Sequence, residues 1–118
     1  MNQQTFSAEQ AAQLVGTSKA ALRFYEQNEI IGPIMRNKNG YRRYTEEDID
    51  WIKVIIIIRK IGIPIKSLIG IQGTSMQERV DYLIDYRKTI QADINKLEQA
   101  DKLLTTKIDY LQKNVLKG

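Results

Sequence analysis

Arg36-Asn37-Lys38-Asn39-Gly40-Tyr41-Arg42-Arg43-Tyr44 sets four cations, two tyrosines and an Asn-Gly pair in one short stretch without an acid. Asn-Gly is the strongest short-range hairpin signal, because it tolerates the positive φ of a tight turn. The β-capable pieces at 34–36 and 41–44 flank it as two arms. A basic hairpin alone is ambiguous, since most charge runs are only a solvated surface. Its neighbours along the chain decide its meaning.

Upstream, Ser7-Ala8-Glu9-Gln10 is a capping box, followed by the apolar set Ala11, Ala12, Leu14 and Val15 and stopped by Gly16. Ser18 can cap a second helix carrying Ala21, Leu22, Phe24 and Tyr25 on overlapping faces. Two helices joined by a three-residue turn containing Gly form the helix-turn-helix pattern, although plain helical hairpins share that spacing. Gly32-Pro33 then marks a turn. Downstream, Thr45-Glu46-Glu47-Asp48 opens a third helix, with acids in the first turn where the dipole favours them. Val54 to Ile58 is β-branched throughout, and propensity alone makes it a strand. The cap at Thr45 and the spacing Ile49, Ile52, Ile55/Ile56 and Arg59 predict instead a helix buried on most sides. Gly62 and Pro64 break it, and Pro64 is well placed to start a short fourth helix to about Gly70.

From the capping box Ser75-Met76-Gln77-Glu78 the pattern becomes one long amphipathic helix. Leu83, Ile90, Leu97, Leu104 and Leu111 share one heptad register, and Val80, Arg87, Ile94, Asp101, Ile108 and Val115 the companion register. All but Arg87 and Asp101 are aliphatic, which is a coiled-coil signal rather than a generic amphipathic one. The expected organisation is a head over 1–73 and a dimerisation helix over 74–118. Arg87 and Asp101 also bear on strand direction. A parallel dimer would set each against its own copy, whereas an antiparallel dimer centred near Ile94 brings Arg87 of one chain beside Asp101 of the other. Snorkelling of both side chains to water is the bland alternative.

The chain has 118 residues, a net charge of +4, and neither cysteine nor histidine. Thiolate chemistry, disulfides and sulfur- or imidazole-ligated metals are therefore excluded, and no convergent carboxylate pair suggests an enzyme. The head carries most of the excess charge, and Lys53, Arg59, Lys60 and Lys66 make a second acid-free set. The longest aliphatic run, Val54–Ile58, falls far short of the ~20 residues that cross a bilayer. No signal peptide is visible at Met1-Asn2-Gln3-Gln4, so a soluble cytoplasmic protein is expected.

Ser18-Lys19-Ala20-Ala21-Leu22-Arg23-Phe24-Tyr25-Glu26, the basic hairpin, and Glu46-Glu47-Asp48-Ile49, at this separation, resemble the MerR family of bacterial transcription regulators. The resemblance covers about residues 5–70, and the long helix is similar to the family's dimerisation helix. It implies a mostly α fold: a winged helix-turn-helix head with a small β-hairpin wing, and an antiparallel coiled-coil homodimer. It implies binding to double-stranded promoter DNA between the two elements that RNA polymerase reads, with bending and untwisting of the spacer as the regulatory output. Polymerase is then engaged only indirectly, through the DNA.

Residue by residue, the resemblance places Ser18, Lys19, Arg23, Phe24 and Tyr25 on or beside the recognition helix. Arg36, Asn39, Tyr41 and Arg42 fall on the first wing, and Lys60 and Lys66 flank a second. Phe24 stands evenly between core and interface, and Tyr44 is better read as hairpin packing. Ala20 and Ala21 replace the Arg and Thr often found there, so the operator cannot be borrowed from relatives. Cysteine-based sensing is excluded and no cofactor is expected. A small-molecule effector would find Trp51, Tyr82, Tyr86 and Tyr110 as aromatic candidates, against the plainer reading of ordinary packing. The competing functional readings are an excisionase-like accessory factor, with the same head but usually no such helix, and a coiled-coil interaction adaptor, which has no need of a basic wing.

Overall fold

The computed structural model describes residues 4–116; Met1-Asn2-Gln3, read above for a signal peptide, lies outside them. The chain divides into two compact units, up to Arg79 and from Val80 onward.

The first unit begins with a two-residue strand, β1 (Thr5–Phe6), and helix α1 (Ala8–Val15). Both halves of the Ser7 box are made: Ser7 Oγ accepts the Gln10 amide at 3.1 Å and Gln10 Oε1 accepts the Ser7 amide at 2.9 Å. Gly16, at φ 74°, closes α1 in the left-handed region. Ala11, Ala12 and Val15 are buried, but Leu14 faces outward, contrary to its expected place in the apolar set. Helix α2 (Lys19–Gln27) follows a three-residue turn, with Ser18 Oγ accepting the Ala21 amide at 3.0 Å. Leu22 is the residue it buries. Beyond its C-cap at Asn28, Glu29 sits at φ 54°, a left-handed conformation that costs a residue with a Cβ roughly 1–2 kcal/mol. Two backbone bonds hold it there, from the Gly70 amide to Asn28 O (2.9 Å) and from the Gln72 amide to Glu29 O (2.8 Å).

The hairpin consists of β2 (Met35–Arg36) and β3 (Arg42–Thr45), antiparallel, pairing Met35 with Arg43 and Arg36 with Arg42. β1 adds to the other edge of β3, giving the order β1-β3-β2. The turn spans residues 37–40, the stretch expected between the two arms. Gly40 has a positive φ and Asn39 does not. The Gly40 amide returns to Asn37 O, and Asn37 Oδ1 accepts the amides of both Asn39 and Tyr41. Asn37 therefore organises the tip by an Asx-type turn, and Gly40 supplies the left-handed residue that ends it.

Thr45 ends β3 and also caps α3 (Glu46–Lys60), its Oγ1 accepting the Asp48 amide at 3.1 Å while Asp48 Oδ2 accepts the Thr45 amide at 2.9 Å. The isoleucine run is helical, as the cap requires. It is buried along a stripe, Ile49, Ile52, Ile55 and Ile58, that winds around about half of the helix rather than most of it, while Ile57 is exposed. A spacing of three falls short of a full turn, so the stripe drifts about 60° per step around the axis. That drift is why apolar residues crowd the helix without a fixed polar face. The short fourth helix expected after Pro64 is a 3-10 helix, Ile65–Leu68, followed by another at Ile71–Gly73. The left-handed Gly70 separates them and leaves no room for an α-helical run.

Helix α4 (Met76–Asn114) has 39 residues, begins with the Glu78 amide on Ser75 Oγ, and spans roughly 60 Å. None of its residues is buried. Leu97 is 69 % exposed, and Leu104 and Ile108 also lie open. Val115, the last expected seam position, falls just past the helix end.

Candidate nucleic-acid interface

Helix α2 and the hairpin border one groove of about 510 Å³, lined among others by Lys19 and Arg23 from the helix and Arg36, Tyr41, Arg42 and Arg43 from the hairpin. The start of α1 completes its wall with Ser7, Ala8 and Glu9. Ser18 commits its oxygen to the helix cap, so it stands at the amino end of α2, where backbone amides and the dipole favour an anion. Lys19 approaches Glu9 at 3.3 Å, an exposed pair of little strength. Arg23 is exposed on the groove side.

Phe24 is 44 % exposed and so lies outside the core of the head, and its ring stands edge-on to Tyr25 at 6.3 Å. Tyr41 is also exposed, while Tyr44 is wholly buried as hairpin packing. Asn39 is exposed at the tip. Lys60 ends α3 and Lys66 lies on the first 3-10 turn, both exposed, on either side of the turn around Gly62.

The four hairpin cations, uniform in sequence, have different surroundings. Arg36 donates to Gly40 O at 3.0 Å and braces the tip. Arg43 donates to Thr5 Oγ1 and Thr5 O, both at 3.1 Å, and ties β3 to β1. Arg42 donates from Nε to Glu26 Oε1 at 2.7 Å, with both side chains about four-fifths buried. Lys38 is exposed at the turn. Burial alone would raise the Glu26 carboxyl, but the Ile34 amide on Oε2 (3.0 Å), the Arg42 bond and charge, and the Arg36 charge hold it below its ordinary value of 4.5. The Tyr44 hydroxyl is buried and unpaired among the described residues. Burial pushes it above its ordinary value of 10.0, in the field of Arg42, Glu26, Asp48 and Arg23.

Glu26 and Asn37 are the residues that local reading missed. No local signal pointed to Glu26, since three of the four hairpin cations have no acidic partner among the ion pairs described and the one that does finds it 16 residues away. The aromatic candidates for an effector are divided between the two units, Trp51 on α3 and Tyr82, Tyr86 and Tyr110 on α4. Trp51 is occupied inside the head, its indole N–H donating to Ile30 O at 2.9 Å. Tyr82 and Tyr110 both lie on α4, roughly 40 Å apart along its axis, and Lys107 Nζ sits 5.3 Å from the Tyr110 ring. Among the described residues no group of three acidic, His or Cys side chains is placed to hold a metal, and no helix is long and apolar enough to cross a membrane.

A family model described as MerR HTH family regulatory protein matches residues 6–72. The HTH-type transcriptional regulator AdhR of Bacillus subtilis is 39 % identical over 84 residues, covering 71 % of this chain, which spans 59 % of AdhR. A putative MerR family transcriptional regulator from Listeria monocytogenes superposes with a TM-score of 0.76 at 26 % identity, over 95 % of this chain and 89 % of that one. HiNmlR, a MerR family regulator lacking the sensor domain and crystallised on promoter DNA, shares the fold with a TM-score of 0.74 at 24 % identity, over 93 % and 92 %. A capped helix-turn-helix, a hairpin closing a cationic groove beside it and a family match across most of the head make one assignment: the chain belongs to the MerR family of helix-turn-helix regulatory proteins.

Proposed function

We propose that this protein is a sequence-specific DNA-binding transcriptional regulator that acts as a homodimer in the cytoplasm, without catalysis or a cofactor. The observation that carries this reading is the groove in which one helix and one hairpin present their cations together. Helix α2 would lie in the major groove while Arg23, Arg36 and Lys60 meet phosphates and Ser18, Lys19, Phe24, Tyr25, Asn39, Tyr41 and Lys66 border the contact. The family's regulators, AdhR among them, support the same reading.

Dimerisation rests on α4. A helix this long with no buried residue and aliphatic side chains at heptad spacing is stable only against another such face. The head on 1–73 and the helix on 74–118 are thus a reading part and a pairing part. Arg87 and Asp101, both exposed in the single chain, favour the antiparallel arrangement, in which they pair across the seam. Such a dimer reads an inverted repeat and distorts the base pairs at its centre, through which it would act on RNA polymerase. A small apolar effector would bind where Tyr82, Tyr86 or Tyr110 of one chain meets its partner.

Footprinting on the DNA upstream of its own coding region tests the reading. Symmetric protection with enhanced cleavage at the centre is expected. Absence of any protected site refutes the regulator reading and leaves the adaptor; protection far from any promoter favours the excisionase-like role.

A further inference from the structure

We propose that Glu26 is a positioning residue: its single carboxylate grips the hairpin both at the entry to β2 and on β3, and sets the angle at which hairpin and α2 present their cations to DNA. The inference rests on the regulator reading and deepens it. The two oxygens have separate tasks. Oε2 accepts the amide of Ile34, the residue before β2, at 3.0 Å. Oε1 accepts Nε of Arg42, on β3, at 2.7 Å. Arg42 in turn faces Arg36 across the ladder.

Glu26 sits one turn along α2 from Arg23, which lines the groove, so the same helix end carries the grip and a cation. The remaining side-chain bonds described for the hairpin run elsewhere. Those of Arg36 and Asn37 stay within it, and those of Arg43 reach β1. Among the side-chain bonds of the described residues, those of Glu26 are the ones that tie it to α2. The pair is largely shielded and lies close to the buried Tyr44, so the bond is stronger than a surface ion pair of equal length. Arg42 is accordingly a strut that orients the hairpin, rather than one more free phosphate contact.

The sign of one substitution separates positioning from bulk charge. Glu26→Gln removes a negative charge near a polyanion, and by charge alone it raises affinity. Positioning requires the opposite. On a duplex selected from a random pool by the wild-type protein, affinity should fall about tenfold, the order expected when a charge-assisted bond is lost. Hydroxyl-radical protection should disappear at the outer, hairpin-facing positions and persist where α2 lies. In the free protein, exchange of the Ile34 amide should accelerate about tenfold while that of Leu22 stays unchanged. The double variant Glu26→Gln with Arg42→Gln should be no worse than the weaker single. If Glu26→Gln does not fold, Arg42→Lys takes its place, because an ammonium cannot reproduce the guanidinium geometry. It should show the same selective loss of outer protection. Unchanged or higher affinity with an intact footprint overturns the proposal. A wild-type protein that selects no duplex overturns the regulator reading instead, and the Ile34 exchange rate then decides the grip alone.

Discussion

Replacing Tyr44 by phenylalanine should stabilise the head. The ring is wholly buried, and its hydroxyl has no partner among the described residues. An unpaired buried hydroxyl costs about 1–3 kcal/mol relative to one satisfied by water in the unfolded chain. Removing the oxygen leaves a void of atomic size, which at ~24 cal/mol per Å³ returns only a few tenths of a kcal/mol. The net expectation is a gain of about 1 kcal/mol or more, which for a unit of this size raises the melting temperature by roughly 4–8 °C. Thermal unfolding followed by circular dichroism, at one fixed protomer concentration, measures it. Because burial holds the hydroxyl above its ordinary value, the gain should be the same at neutral and mildly alkaline pH. A melting temperature lowered by the substitution would refute the reasoning, by showing that the hydroxyl is bonded, for example to an ordered water.

Glu29→Gly should also stabilise, by about 0.5–1 kcal/mol, as relief of left-handed strain outweighs the added freedom of the unfolded chain; a loss in denaturant titration would show that the Glu29 side chain contributes more than it strains. The slope of log affinity against log salt should be about −5, for phosphates met by Arg23, Arg36 and Lys60 of two protomers. A slope near −7 would mean that Arg42 leaves Glu26 on binding, and one shallower than about −3 would remove the whole contact set. The Glu26 carboxyl lies below 4.5 in the folded chain, so its contribution to stability is complete above that value and is lost as pH falls through the depressed one. Acid unfolding of Glu26→Gln should therefore begin from a lower stability but fall less steeply below pH 4.5 than that of the wild type.

Features set by residues a few positions apart were legible in the sequence. The caps at Ser7, Ser18 and Thr45 and the continuity of α4 need only local spacing. Thr45 was enough to overrule the β-branched run behind it. Pairings chosen by tertiary position were not legible. Glu26 and Arg42 stand 16 residues apart, and nothing local couples them. β1 is two residues long, too short for alternation to show, and is set by its pairing with β3, to which Arg43 adds its bonds to Thr5. Asn39-Gly40 pointed correctly to a turn over 37–40, but not to Asn37 as its organising side chain. Leu14 shows the converse limit: a residue at helical spacing faces outward when the core beside it is already filled by Ala11 and Val15.

Thr45 leaves the chain no slack between its sheet and its third helix. The same residue pairs with Thr5 and caps α3, so not one linker residue separates the two elements. An inserted residue there would either slip β3 by one position, turning Tyr44 out of the core, or move Thr45 off the cap. Deletion meets the same choice. Length changes that leave the core intact should therefore be confined to the hairpin tip over 37–40 and the turn over 61–64, which lie outside the core of the head, and there they would alter DNA contact rather than folding. The junction at position 45 should keep a fixed count of residues even where its amino acids change.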